Sequence, residues 1–124
     1  MKYYNYEQYT QMKKKAWNWK LYAVLDAYFD EESDDYGIKV LFDEKGNAEL
    51  FEVCKLSNVT QNGATWTHYA NIQLADDGTW EVNEQFKGKN EDEMWVYAYY
   101  KRFADACKCI ATGKFKKMKP IKIY

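Results

Sequence analysis

The stretch Thr65-Trp66-Thr67-His68-Tyr69-Ala70-Asn71-Ile72-Gln73-Leu74 decides the fold, together with the Ala75-Asp76-Asp77-Gly78 and Thr79–Phe86 that follow it. Trp66, His68, Ala70, Ile72 and Leu74 alternate with Thr65, Thr67, Tyr69, Asn71 and Gln73, the period of two of a half-buried strand. Beyond the turn, Trp80, Val82 and Phe86 alternate with Thr79, Glu81, Asn83 and Gln85. Gly78 supplies the positive φ that a tight connection needs. The pattern predicts a hairpin in which Trp66, Ile72, Leu74, Trp80, Val82 and Phe86 are buried together. The opposite face, with Thr65, Thr67, Tyr69, Asn71, Gln73, Glu81 and Asn83, is left for solvent or a partner.

Upstream, Ile38–Phe42 and Glu49–Cys54 flank Asp43-Glu44-Lys45-Gly46-Asn47, a second hairpin. Residues 5–30 read as helix, capped by Asn5, with Tyr6, Tyr9, Lys13, Ala16, Trp17, Leu21, Val24 and Tyr28 at steps of three or four. Asn18, between two Trp, marks a break, and Lys20–Phe29 also accepts a strand reading. Residues 91–112 read as a second helix, with Asn90 as cap, Glu93 completing a capping box and Gly113 as the terminating residue. The tail 114–124 is a short edge strand or a mobile basic tail. The expected architecture is an α+β single domain over 1–124. Its antiparallel sheet of about four strands, two hairpins, is packed on one face by an N-terminal and a C-terminal helix.

The 124 residues are 30% charged yet sum to a formal charge of -1. The charge is uneven: residues 1–22 hold five Lys and one Glu, residues 26–52 hold ten acids and two Lys, and residues 106–124 hold six Lys and no acid. Aromatic residues make up 19%. Each can bury about 150–250 Å², so a chain of this size places part of that excess on a binding surface or a dimer interface. Cys54, Cys107 and Cys109 have neither disulfide-framework nor zinc spacing, and no signal-peptide pattern precedes the domain. A reducing, cytoplasmic setting is expected, with no cofactor and no metal.

His68 is the single His, and a tight turn brings it diagonal to Glu84. A carboxylate beside an imidazole can serve as a general acid–base pair, so a hydrolase-like enzyme is the third functional reading. A satisfied structural pair is the simpler one, since no nucleophile motif accompanies it. Asp30, Glu31, Glu32, Asp34 and Asp35 fail the calcium-loop pattern and read as a solvated loop, or as a phosphate-like decoy for a basic partner. Tyr69, Tyr97, Tyr100 and Arg102 complete the candidate binding residues. The Lys-rich tail is the one foothold for nucleic acid, which the single Arg disfavours. No membrane contact is expected.

These features point to a non-enzymatic binding protein with a protein partner, and to a homodimer. Compact and rich in Lys, Tyr and Asn, the chain is similar in style to accessory proteins of phages and mobile elements. That resemblance implies an inhibitor, anti-defence in role, that works by occluding a surface. The alternative is a small-ligand protein that sequesters a nucleotide-like ring in an aromatic pocket.

Overall fold

A computed structural model describes residues 2–29, 35–85, 94–113 and 121–123. The chain opens with β1 (Lys2–Tyr3) and α1 (Tyr6–Lys13). Asn5 caps α1 as expected, its side chain accepting from the Gln8 amide at 2.9 Å. The helix then breaks at Lys14–Lys15, not at Asn18, and α2 (Ala16–Ala27) follows. Residues 20–27 are therefore helix rather than strand. Asn18 is buried within α2 and ties it to the sheet: its Nδ2 donates to the Gly46 carbonyl at 2.9 Å and its Oδ1 accepts from the Ala48 amide at 2.7 Å.

The sheet is a meander of β2 (Tyr36–Phe42), β3 (Ala48–Thr60), β4 (Gly63–Leu74), β5 (Trp80–Gln85), β6 (Met94–Tyr100) and β7 (Ile121–Ile123), each antiparallel to the next. β1 adds to the free side of β2 in parallel. Both expected hairpins are present, with Gly46 and Gly78 at positive φ. The sheet is nonetheless larger than the four strands expected. Met94–Tyr100 is a strand where a helix was expected, because Met-Trp-Val-Tyr-Ala-Tyr-Tyr is dense in residues that pack on a pleated surface and pairs along β5. The helix, α3 (Phe103–Thr112), starts only after Arg102 and ends at Gly113 in the left-handed region, as expected for that residue. Asn90 and Glu93 lie outside the described residues. The tail contributes β7, an edge strand.

All three helices cover one face. Met12, Leu21, Leu25, Phe103, Ala106, Cys107, Cys109 and Ile110 meet Ile38, Val40, Phe51, Val53, Ala70, Ile72, Trp80 and Val82 in one buried core. Ile72, Trp80 and Val82 are thus in the core as expected, with Leu74 packed against it, while Phe86 lies outside the described residues. Trp66 is not part of it. Val53 pairs with Ala70 but Cys54 pairs with His68, so Tyr69 is an extra residue, a β-bulge, and the alternation inverts there. Tyr69 joins Ala70 on the helix side, while His68 and Trp66 turn to the other face. Among the described residues no helix is long and apolar enough to cross a membrane.

On that other face Trp66 lies over Gly37. A Cβ at Gly37 would sit 2.3 Å from Trp66 Cζ3 and 3.2 Å from Leu56 Cδ2. Gly37→Ala is therefore expected to destabilise the protein by about 1–3 kcal/mol through overpacking, read from urea melts. Combining it with Trp66→Leu should recover part of that loss, a coupling that a double-mutant cycle measures. Equal melts for Gly37→Ala and the unmodified chain would contradict the packing described.

Candidate functional site

The face turned away from the helices is built in rows across the strands. Lys39, Glu52, Asn71 and Asn83 form one row, and Leu41, Leu50, Gln73, Glu81 and Tyr99 the next. Of the residues the sequence pattern placed on this free face, Asn71, Gln73, Glu81 and Asn83 agree with the registers, whereas Thr65, Thr67 and Tyr69 are turned to the helix side by the bulge. Leu41 and Tyr99 at the ends of the second row are 57% and 50% exposed. Tyr4, also 50% exposed, stands edge-on to Trp66 at 5.6 Å, with the Lys39 ammonium 4.5 Å from its ring centre.

Between these aromatic and aliphatic ends runs a fixed polar ladder. His68 Nε2 and Asn71 Oδ1 are 2.9 Å apart, Asn71 Nδ2 donates to Asn83 Oδ1 at 3.0 Å, and Asn83 Nδ2 donates to Glu81 Oε1 at 2.9 Å and Gln73 Oε1 at 3.3 Å. Asn71 and Asn83 are buried, and a buried amide keeps such partners because leaving one unmade costs about 1–3 kcal/mol. With Asn83 Nδ2 turned to the Glu81 carboxylate, the run of amides leaves Asn71 Oδ1 as an acceptor for His68 Nε2. The hydrogen bond found on His68 thus goes to Asn71 rather than to Glu84. The inversion at Tyr69 removes the geometry on which the His68–Glu84 pairing was built.

The sequence-derived binding residues do not form one patch. Asp30, Glu31, Glu32 and Asp34 lie outside the described residues. Asp35 immediately precedes β2, and its carbonyl accepts from the Leu56 amide at 2.7 Å. Tyr69 is not on the free face, because the bulge turns it to the helices. Its hydroxyl donates to the Ile110 carbonyl at 3.5 Å, and the Lys55 ammonium lies 4.8 Å from its ring centre. Burial, then the neighbouring Tyr36, raises its phenol above the ordinary value. Tyr100 also faces α3: burial, then Cys109, pushes its phenol up to about 12. Tyr97 is the extra residue of a bulge in β6, since Val82 pairs with Ala98 and Asn83 with Val96. Arg102 is exposed at the cap position of α3 and makes no side-chain cap bond.

Cys54, Cys107 and Cys109 are all buried. Burial pushes the Cys107 thiol up, the reverse of an activated cysteine. Cys54 donates to Glu52 Oε1 at 3.7 Å. Among the described residues no group of three His, Cys, Asp or Glu side chains is placed to hold a metal. A shallow depression of about 350 Å³ lies between α1 and the edge of β2, lined by Glu7, Gln8, Gln11, Val40, Leu41 and Phe42. That lining offers no Tyr or Trp pair to sandwich a nucleotide-like ring. Compared with family models, curated proteins and solved structures, the chain matches none.

The thiol burial has a direct readout. Ellman's reagent should leave all three cysteines unmodified in the native protein and titrate three after denaturation. Fast labelling of Cys107 without unfolding would contradict its place in the core.

Proposed function

We propose that this protein is a non-enzymatic binding module that seats a protein partner on the helix-free face of its sheet and acts by occluding that partner's surface. The buried Asn71–Asn83 ladder, on a face that none of the three helices covers, carries this reading. The buried Asn71 and Asn83 hold the half-buried His68, Gln73 and Glu81 at the ladder's ends, so a partner meets polar groups whose ordering has been completed by folding. Exposed Tyr4, Leu41 and Tyr99 border it, and Tyr is enriched among residues that dominate binding energies. The two rows include three formal charges, Lys39, Glu52 and Glu81. A polyanion is bound through several Lys or Arg, so this mixed, sparsely charged face suits a protein better than a nucleic acid.

Affinity capture from the native host supplies the partner, and variants of the face supply the test. Leu41→Asp and Tyr99→Ala are each expected to weaken capture by about tenfold or more, with unchanged melting because both side chains are largely exposed. Lys14→Ala, on the exposed end of α1, should leave capture intact. Capture that survives both face variants would remove the reading. A retained nucleotide with no protein partner would replace it with sequestration of a small ligand.

A further inference from the structure

The paired segments of β3 and β4 that project past the rest of the sheet carry an independent message. β2 pairs with β3 no further than Lys55, and β5 pairs with β4 no further than Asn71. Residues 56–67 therefore form a two-stranded arm whose outer edges, among the described residues, meet no other strand. The chain is 30% charged, yet residues 56–75 contain no Lys, Arg, Asp or Glu. Natural sheets blunt exposed edges with charged residues, with Pro or with bulges. The β3 side of the arm has such a device, because its register slips between Ser57 and Thr60 and Asn58 sits at φ 52. The Leu56 amide on that side is also taken by the Asp35 carbonyl. The β4 side, Ala64 to His68, has no Pro and no formal charge, and the bulge of this strand, at Tyr69, lies at the inner end of the segment.

We propose that this edge of β4 is a self-association site, pairing antiparallel with the same edge of a second copy about a two-fold axis at Trp66. The occupant is singled out by the sequence of the edge itself. Thr65-Trp66-Thr67 is a palindrome, so antiparallel pairing centred on Trp66 sets Thr65 opposite the other copy's Thr67 and Trp66 opposite Trp66. An isologous contact requires that self-complementarity, and Thr–Thr cross-strand pairs are favourable. Thr65 and Thr67 are exposed, so both reach the new pairing without rearrangement of the core. The Trp66 indole lies across Gly37 toward Tyr4, on the face of the sheet rather than over its edge. A neutral edge also removes the like-charge repulsion that ordinarily opposes pairing of two identical surfaces. This inference rests on the arm and not on the partner-binding rows.

The test uses charges placed by the two-fold register and read by sedimentation velocity. The unmodified chain is expected to show a concentration-dependent monomer–dimer equilibrium. Thr65→Lys with Thr67→Lys puts like charges opposite each other at both symmetric pairs and should weaken the dimer by about tenfold or more. Thr65→Lys with Thr67→Glu puts opposite charges there and should restore affinity to within about threefold of the unmodified chain. Amide exchange at residues 64–67 should slow as protein concentration rises. A monomer up to millimolar concentration would overturn the proposal, as would equal weakening by both double variants. A dimer whose arm amides exchange at an unchanged rate would also overturn it by placing the contact elsewhere. Equal melting temperatures for the two double variants at monomeric concentrations separate lost pairing from lost folding. Capture of a partner through Leu41 and Tyr99 is scored separately, so either proposal can fail alone.

Discussion

One extra residue in β4 sorts the whole molecule. If Tyr69 continued the alternation, Trp66 and His68 would enter the core and the helix layer would have to extend over the hairpin. Instead the bulge lets Tyr69 and Ala70 both turn toward the helices, where Tyr69 stands edge-on to Tyr36 at 5.9 Å and reaches the Ile110 carbonyl of α3. A bulge of this kind bends its strand and increases the local twist. The half of β4 before it is then released from the helices, and the half after it is held by them. The buried core ends at Val53 and Ala70, and a separate small cluster of Leu56, Trp66 and Tyr4 takes over on the opposite face.

The same residue explains where sequence reading succeeds and where it fails. Ile72, Trp80 and Val82 lie C-terminal to the bulge and are buried as their period predicts. Asn71, Gln73, Glu81 and Asn83 lie on the face away from the helices for the same reason, Asn71 and Asn83 buried there by their neighbours. Trp66, His68 and Tyr69 are misplaced because nothing in Thr67-His68-Tyr69-Ala70 announces an extra residue: no Gly, no Asn and no Pro stands there. Asn5, Gly46, Gly78 and Gly113 were legible because each answers a local backbone demand that only a few residue types can meet. Met94–Tyr100 was not, since a run rich in aromatics fits a helical stripe and a strand equally, and the choice is made by β5 alongside it.

Asparagine works differently on the two faces. Asn18 spends both ends of its amide on backbone groups of the β2–β3 turn and so locks α2 to the sheet. Asn71 and Asn83 spend theirs on other side chains and lock one another. The first use fixes the fold, since no rotamer of Asn18 could serve a partner without orphaning a buried amide. The second fixes a surface, because Gln73, Glu81 and His68 at the ends of the ladder are only half-buried and keep lone pairs or protons directed outward.

Charge placement follows from these two uses. The formal charges gather in the acidic stretch 26–52, in the segment 87–93 and in the Lys-rich stretch 114–122, while the chain from Leu56 to Ala75 is neutral apart from His68. Neutrality there is not needed for folding, since Thr65 and Thr67 are exposed and would tolerate Lys. It costs protection of an open strand edge. For the proposed pairing it lowers the desolvation cost, because burying hydroxyls, amides and rings is far cheaper than burying ions without matched partners. The neutral arm and the paired amides are thus separate features: the first lowers the desolvation cost of the proposed strand pairing, and the second holds the polar side chains at the ends of the Asn71–Asn83 ladder.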